Sequence, residues 1–230
     1  KTNRDQALKP EDQRQFSLPQ PFGSYVMENI LFKISFPAEF HAQTAAEAAV
    51  ILHPQVKDRL ADIDRIELTT HESAIRIISK QGRLANAADR DHCLQYMAAV
   101  PLIFGELTAD HYEDRFHEAH PEIDRIRDLM VVTEDERYSR EYLEPDKRSI
   151  ANAIQVFFKD GSSTERVAVE YPIGHRRRRE ESIPLLEEKF RSNLATRFPG
   201  QTCRRIESLC GDHPSLEQTP VPAFMDLFVV

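Results

Sequence analysis

Apolar positions follow two periods along this chain, and the switches between them outline its elements. From His41 the run AQTAAEAAVIL has high helical propensity, with Ala45, Ala49 and Leu52 on one face. That predicts a helix, which Pro54 breaks or kinks. A second short helical stretch over 55–61 leads into IDRIELTTH, where Ile63, Ile66 and Leu68 predict a strand from about 65 to 70. Residues 86–105 (NAADRDHCLQYMAAVPLIFG) read as one helix: Asn86 is its N-cap, Leu94, Met97, Ala98 and Pro101 share a face, and Gly105 ends it. Pro121 suits the first turn of another helix, with Ile123, Ile126, Leu129 and Met130 as its stripe. A strand is placed near 130–134. The clearest element is a hairpin, because alternating residues over 150–158 and 164–169 flank KDGSS, and Asp160-Gly161 is a strong turn pair. Helices follow over 183–197 and 202–209, and the tail around Pro220 and Pro222 is extended or short-helical.

This is an α+β pattern: a small mixed or antiparallel sheet with helices packed on it, plus C-terminal helices. Residues 1–21, polar and carrying Pro10 and Pro19, read as a linker or domain junction. Residues 22–175 read as the α+β domain and 176–230 as the C-terminal helices. The segment 24–36 (SYVMENILFKISF) is apolar and aromatic but fits neither period.

Composition narrows the functional classes. No apolar run approaches the roughly 20 residues of a membrane span, so no membrane partner is expected. A net charge of −8 argues against a nucleic-acid partner, which needs a positive surface. The three cysteines, Cys93, Cys203 and Cys210, form no Cys-x-x-Cys pair, which argues against a disulfide scaffold and a self-contained zinc or iron–sulfur centre. The first 20 residues have the makeup of neither a secretory signal nor a transit peptide.

Four constellations carry possible chemistry. Lys33-Ile-Ser-Phe-Pro-Ala-Glu-Phe-His41 gathers a lysine, a carboxylate and a histidine around one proline. The histidine falls at the start of a helix, whose positive end favours uncharged imidazole, a competent base. The lysine suits a substrate carboxylate. A capping histidine and a solvated lysine are the plainer reading. His111, His117 and His120 have a spacing that can bind metal, yet the segment is strongly polar and reads as an exposed, charged stretch. His175 and Arg176 to Arg179 could hold an anion, but Glu180 and Glu181 follow at once, which favours internal pairing. Arg90, Asp91, His92 and Tyr96 are polar for the start of an apolar helix, and burial for packing remains the default for Tyr96.

The wording of several segments is more specific than their spacing. FGSYVMENILFKISFPAEFH (22–41), ADRDHCLQYM (88–97), KRSIANA (147–153) and VEYPIGH (169–175) resemble the hallmark segments of the MmgE/PrpD family, as its 2-methylcitrate dehydratases carry them. The resemblance runs in order over nearly the whole chain. It implies a two-domain parent, with a large all-helical N-terminal domain and a smaller α+β domain like this chain, meeting at a cleft. It implies a hydro-lyase that converts 2-methylcitrate to 2-methyl-cis-aconitate in the methylcitrate cycle of propionate catabolism, with citrate or cis-aconitate as further substrates. It also implies no cofactor, no iron–sulfur cluster and no metal. Lys33, His41 and Tyr96 match the family's catalytic positions, and Arg90 and His92 fall where substrate binding is expected. An aspartate and further histidine and lysine groups would come from the N-terminal helical domain. The implied partners are a tricarboxylate substrate and that domain, in a protein compatible with a homo-oligomer. The implied compartment is the cytoplasm in a bacterium or the mitochondrial matrix in a eukaryote. A cis-aconitate decarboxylase-like sibling shares the lysine–histidine pair, and a non-catalytic interaction module using 175–179 is the reading from another class.

Overall fold

The computed structural model describes residues 36–229. A 3₁₀ turn at Phe40–Ala42 opens helix α1, Gln43–Val56, and a further 3₁₀ segment, Lys57–Asp62, leads into strand β1, Ile63–Thr70. The crossover to β2, Met130–Glu134, carries α2 (Glu72–Ile78), α3 (Ala87–Asp91), α4 (Leu94–Phe104), α5 (Asp114–Ala119) and α6 (Glu122–Asp128). Helix α7, Glu136–Leu143, precedes the hairpin of β3, Asn152–Phe158, and β4, Val167–Val169. The rest is helical: α8 (Arg179–Arg197), α9 (Gly200–Gly211), α10 (His213–Gln218) and α11 (Val221–Asp226).

The sheet has the order β2-β1-β3-β4. β1 runs parallel to β2, with Ile66 beside Met130, and antiparallel to β3, with Leu68 beside Ile154. A mixed sheet follows from the connections, since a tight turn allows only an antiparallel pair and a long helical crossover allows a parallel one. Ile66, Leu68, Ile154 and Val156 are buried on one face, which α1 covers, and α4 packs against α1. α1 can lie close because its inner face is mostly methyl groups: Ala45, Ala46, Ala48 and Ala49 are all fully buried. α4 is buried all round from Leu94 to Ile103, as expected of a helix with no polar face.

Three predicted elements end differently from the sequence pattern. α1 continues through Pro54 to Val56, because a proline in the last turn removes one backbone bond while Leu52 and Val56 stay anchored in the core. The 86–105 segment is two helices, interrupted where Cys93 takes an extended backbone (φ −122°, ψ 108°). Asn86 does cap the first, accepting from Asp89 N at 2.9 Å. Met130 belongs to β2, so the stripe of α6 ends with Leu129 just past its last turn.

Gly105 closes α4 in the left-handed region (φ 79°), and a Cβ there would lie 2.8 Å from His53 Cδ2. His53 is itself tied to the Leu102 carbonyl at 3.0 Å. Gly105→Ala is therefore expected to cost about 2 kcal/mol, lowering the melting temperature by roughly 4–8 °C. An unshifted melt would contradict this.

Residues 176–229 pack chiefly on themselves. Leu194, Cys203 and Ile206 form a small separate core, with Phe190, Phe198 and Phe228 against it. The join to the sheet domain is polar: Arg178 meets Glu47 at 2.8 Å, and Gly174 N donates to Ser182 Oγ at 2.8 Å.

Candidate functional site

The segment Phe36-Pro-Ala-Glu-Phe-His41 is shaped by Glu39. Its backbone is extended (φ −56°, ψ 150°) and its carboxylate accepts from His41 N at 2.8 Å, capping the 3₁₀ turn. The same carboxylate meets His41 Nδ1 at 2.9 and 3.1 Å. Burial pushes the Glu39 carboxyl up. The bonds to the His41 ring and N–H, with His92 nearby, outweigh it and hold the pKa below its ordinary value. An ionised carboxylate only accepts, so Nδ1 carries a proton, and in the uncharged ring Nε2 is the nitrogen with the free lone pair. Nε2 faces the Tyr142 hydroxyl at 3.4 Å, a long contact.

Two elements place partners around this dyad. His71 follows the last residue of β1, and Tyr142 lies near the end of α7. Their rings stack at 4.7 Å and 18°, and the His41 ring lies 5.1 Å from His71 and 5.6 Å from Tyr142. The floor is held by Asn152, whose Nδ2 donates to the His41 carbonyl at 2.8 Å and to Thr44 Oγ1 at 2.7 Å. Thr44 Oγ1 in turn donates to the Ile150 carbonyl at 2.5 Å. His71 is fully buried and neither ring nitrogen has a hydrogen-bond partner. Burial first, and then the His41 charge, push its pKa down to about 4, against a smaller opposing pull from Glu39.

That shift has a consequence for stability. The unfolded chain protonates this histidine as pH falls below about 6.5, whereas the folded chain resists until about 4. Stability is therefore full above pH 6.5 and falls between there and pH 4, by on the order of 3 kcal/mol from this group. Melts of the chain and of His71→Phe at pH 7 and 4.5 read it: the variant should lose less stability in acid, and parallel losses would contradict the assignment.

The sequence candidates fall into different places. Lys33 lies outside the described residues. His41 anchors the cluster above. His92 is exposed, bonded to Asp91 at 2.5 Å, and close enough to Glu39 to favour its charge. Arg90 is buried and ties α3 to the next turn, with Nε donating to the Tyr112 carbonyl at 2.8 Å and a pairing to Asp114. Tyr96 is also fully buried; its hydroxyl donates to the His111 carbonyl at 2.6 Å and its ring neighbours are Tyr112 and His117. Arg90 and Tyr96 thus share a cluster that the His41 ring does not join.

The 111–120 stretch is less exposed than its polarity suggests. His111 is buried and stacks on Phe104 (5.8 Å), His117 pairs with Asp124 at 3.2 Å, and His120 with Glu122 at 2.8 Å. Each imidazole has its own partner, and among the described residues no group of three or more possible ligands converges. Arg178 is bound internally by Glu47, Glu181 and the Tyr171 carbonyl, and Arg177 lies over the Tyr171 ring at 5.2 Å.

Sequence reasoning missed His71 and Tyr142. The only local hint was a histidine just past the carboxyl end of a strand, where open sheets present ligands. No helix among the described residues is long and apolar enough to cross a membrane.

A paired Glu–His dyad beside a tyrosine, at one end of a small mixed sheet, is an arrangement able to move a proton. Residues 36–212 match the MmgE/PrpD C-terminal domain, and the chain belongs to that family. It is 52% identical over 218 residues to the 2-methylcitrate dehydratase of Salmonella typhimurium and 53% identical over 218 residues to that of Cupriavidus necator. It is 50% identical over 219 residues to the mitochondrial 2-methylcitrate dehydratase of Yarrowia lipolytica. These alignments cover 94% of this chain, which spans less than half of each relative: 45%, 45% and 42%.

Proposed function

We propose that this chain is the C-terminal part of a 2-methylcitrate dehydratase, and that it supplies the His41 side of an active site completed by an N-terminal helical domain. The observation that carries the reading is the Glu39–His41 dyad, which turns Nε2 toward the Tyr142 hydroxyl, in a chain half-identical to enzymes of that name. Dehydration breaks a C–H bond next to a carboxylate and a C–O bond on the neighbouring carbon, forms the C=C bond and releases water. His41 Nε2 takes the proton, and an acid supplied by the N-terminal helical domain protonates the departing hydroxyl so that it leaves as water. Glu39 stabilises the imidazolium that results, and Tyr142 hydrogen-bonds beside it. Lys33 neutralises a substrate carboxylate as charge develops on the adjacent carbon. His92 flanks the dyad as a substrate-binding group, while Arg90 and Tyr96 act only through the separate buried cluster around Tyr112.

The domain division follows from the same reading, with 1–21 as the junction, 22–175 as the α+β domain and 176–230 as helices that pack toward the helical domain. Exposed apolar side chains on those helices, Ile183, Leu185, Val221 and Met225, support that contact. Bacterial and mitochondrial relatives support the cytoplasm or the mitochondrial matrix as the compartment, and the dehydratase reading implies propionate catabolism as the setting.

Product analysis by NMR tests the reaction. The whole protein should convert 2-methylcitrate to 2-methyl-cis-aconitate, and cis-aconitate should give no itaconate. Itaconate formation would assign the decarboxylase chemistry instead. The reading uses no metal, so EDTA and air exposure should leave the rate unchanged; a loss restored by iron or zinc would overturn this and return attention to His111, His117 and His120.

A further inference from the structure

We propose that His71 is a positioning residue of this site: an uncharged aromatic platform under Tyr142 that fixes its hydroxyl against Nε2 of His41. The proposal rests on the dehydratase reading and adds to it a residue outside the His41 segment. Three observations carry it. First, His71 stacks on Tyr142 nearly in parallel, at 4.7 Å and 18°, and lies 5.1 Å from His41, so it touches both rings that must keep their relation. Tyr142 sits near the end of the eight-residue helix α7.

Second, the ring is fully buried with both nitrogens unpartnered. With no hydrogen bond to hold it, the ring is placed by its packing against the Tyr142 and His41 rings, as a platform is. Third, five of the seven buried, unpartnered side-chain atoms among the described residues gather here: both His71 nitrogens, Thr70 Oγ1, Ser149 Oγ and Asn152 Oδ1, with Tyr112 Oη and Arg127 Nε elsewhere. Thr70 adjoins His71, Asn152 holds the His41 carbonyl, and Ser149 precedes the Ile150 whose carbonyl anchors Thr44. The unfavourable burial is concentrated at the end of the sheet that carries the dyad, as expected where function sets residue choice.

Charge explains why a histidine serves here only if it stays neutral. His41 gains a positive charge each time it accepts a proton, and a second cation 5.1 Å away would oppose that step. The groups facing His71 are His41, Tyr142 and, more distantly, Glu39; none pairs with its nitrogens.

The test uses the whole protein with 2-methylcitrate, comparing His71→Ala, His71→Phe, Tyr142→Phe and the double variant His71→Ala/Tyr142→Phe. His71→Ala should lower kcat by about 10- to 100-fold with KM changed less than about threefold, the scale for a misplaced catalytic group. His71→Phe, which restores the platform without nitrogens, should recover the rate to within about fivefold. In the Tyr142→Phe background His71→Ala should cost almost nothing more, because its effect runs through that hydroxyl. Equal losses with and without Tyr142, or a folded His71→Phe as slow as His71→Ala, would overturn the proposal. If His71→Ala does not fold, the His71→Phe rate still decides. NMR contacts between the Tyr142 and His41 rings read the geometry without turnover: kept in His71→Phe, and lost in His71→Ala or His71→Leu. A wild-type protein inactive on 2-methylcitrate would sink the dehydratase reading, while these contacts would still judge the platform.

Discussion

His41→Ala in the whole protein should lower kcat for 2-methylcitrate by about 10² or more, and Glu39→Gln should cost a similar factor. The two losses have different causes. Alanine removes the base. Glutamine keeps the shape, but its amide can donate to Nδ1, which moves the ring proton to Nε2 and blocks the lone pair that must take the substrate's proton. Because the two act as a unit, the double variant should lose little beyond the worse single one. Lys33→Ala should also fall by about 10² or more on the proposed role in charge neutralisation. The control is His213→Ala, whose side chain is 80% exposed and whose rate should stay within about twofold. The histidines at 117 and 120 serve that purpose poorly. His117 packs on the Tyr96 ring at 5.6 Å and bonds Asp124, so its loss should register in the melt rather than in the chemistry. Rates and melts together decide: folded His41 and Glu39 variants with normal kcat would remove the dyad from the mechanism.

The fold was legible where one period dominates. The alanine face of α1, the alternation of β1 and the Asp160-Gly161 hairpin each announce themselves within a dozen residues. Helices α2 and α7 did not, because segments of seven and eight residues are too short to be helical on their own and depend on tertiary packing. The break at Cys93 was hidden for a related reason. A polar first turn followed by an apolar run reads as one helix with a cap, and only the buried Arg90 contact to the Tyr112 carbonyl shows why the chain turns there. Of the candidate site, His41 and Glu39 were visible as neighbours around Pro37, since their contact spans two residues. Tyr142 meets His41 from 101 residues away, and His71 arrives by the strand, so neither could be paired with it from spacing. Tyr96 shows the reverse. Its place in a family segment suggests chemistry, while its hydroxyl is engaged by a backbone carbonyl and burial raises its pKa to about 12.

The most direct measurement compares this chain alone, the N-terminal part of the whole protein alone, and the two mixed, by following absorbance of the unsaturated product from 2-methylcitrate. The sheet domain has a continuous core of its own, so failure to turn over would not reflect absence of structure. The proposed division of the site predicts no detectable rate from either part and measurable turnover from the mixture, abolished when this chain carries His41→Ala. Turnover by this chain alone at a rate near that of the whole protein would contradict it, because the dyad and its neighbours would then be a complete site.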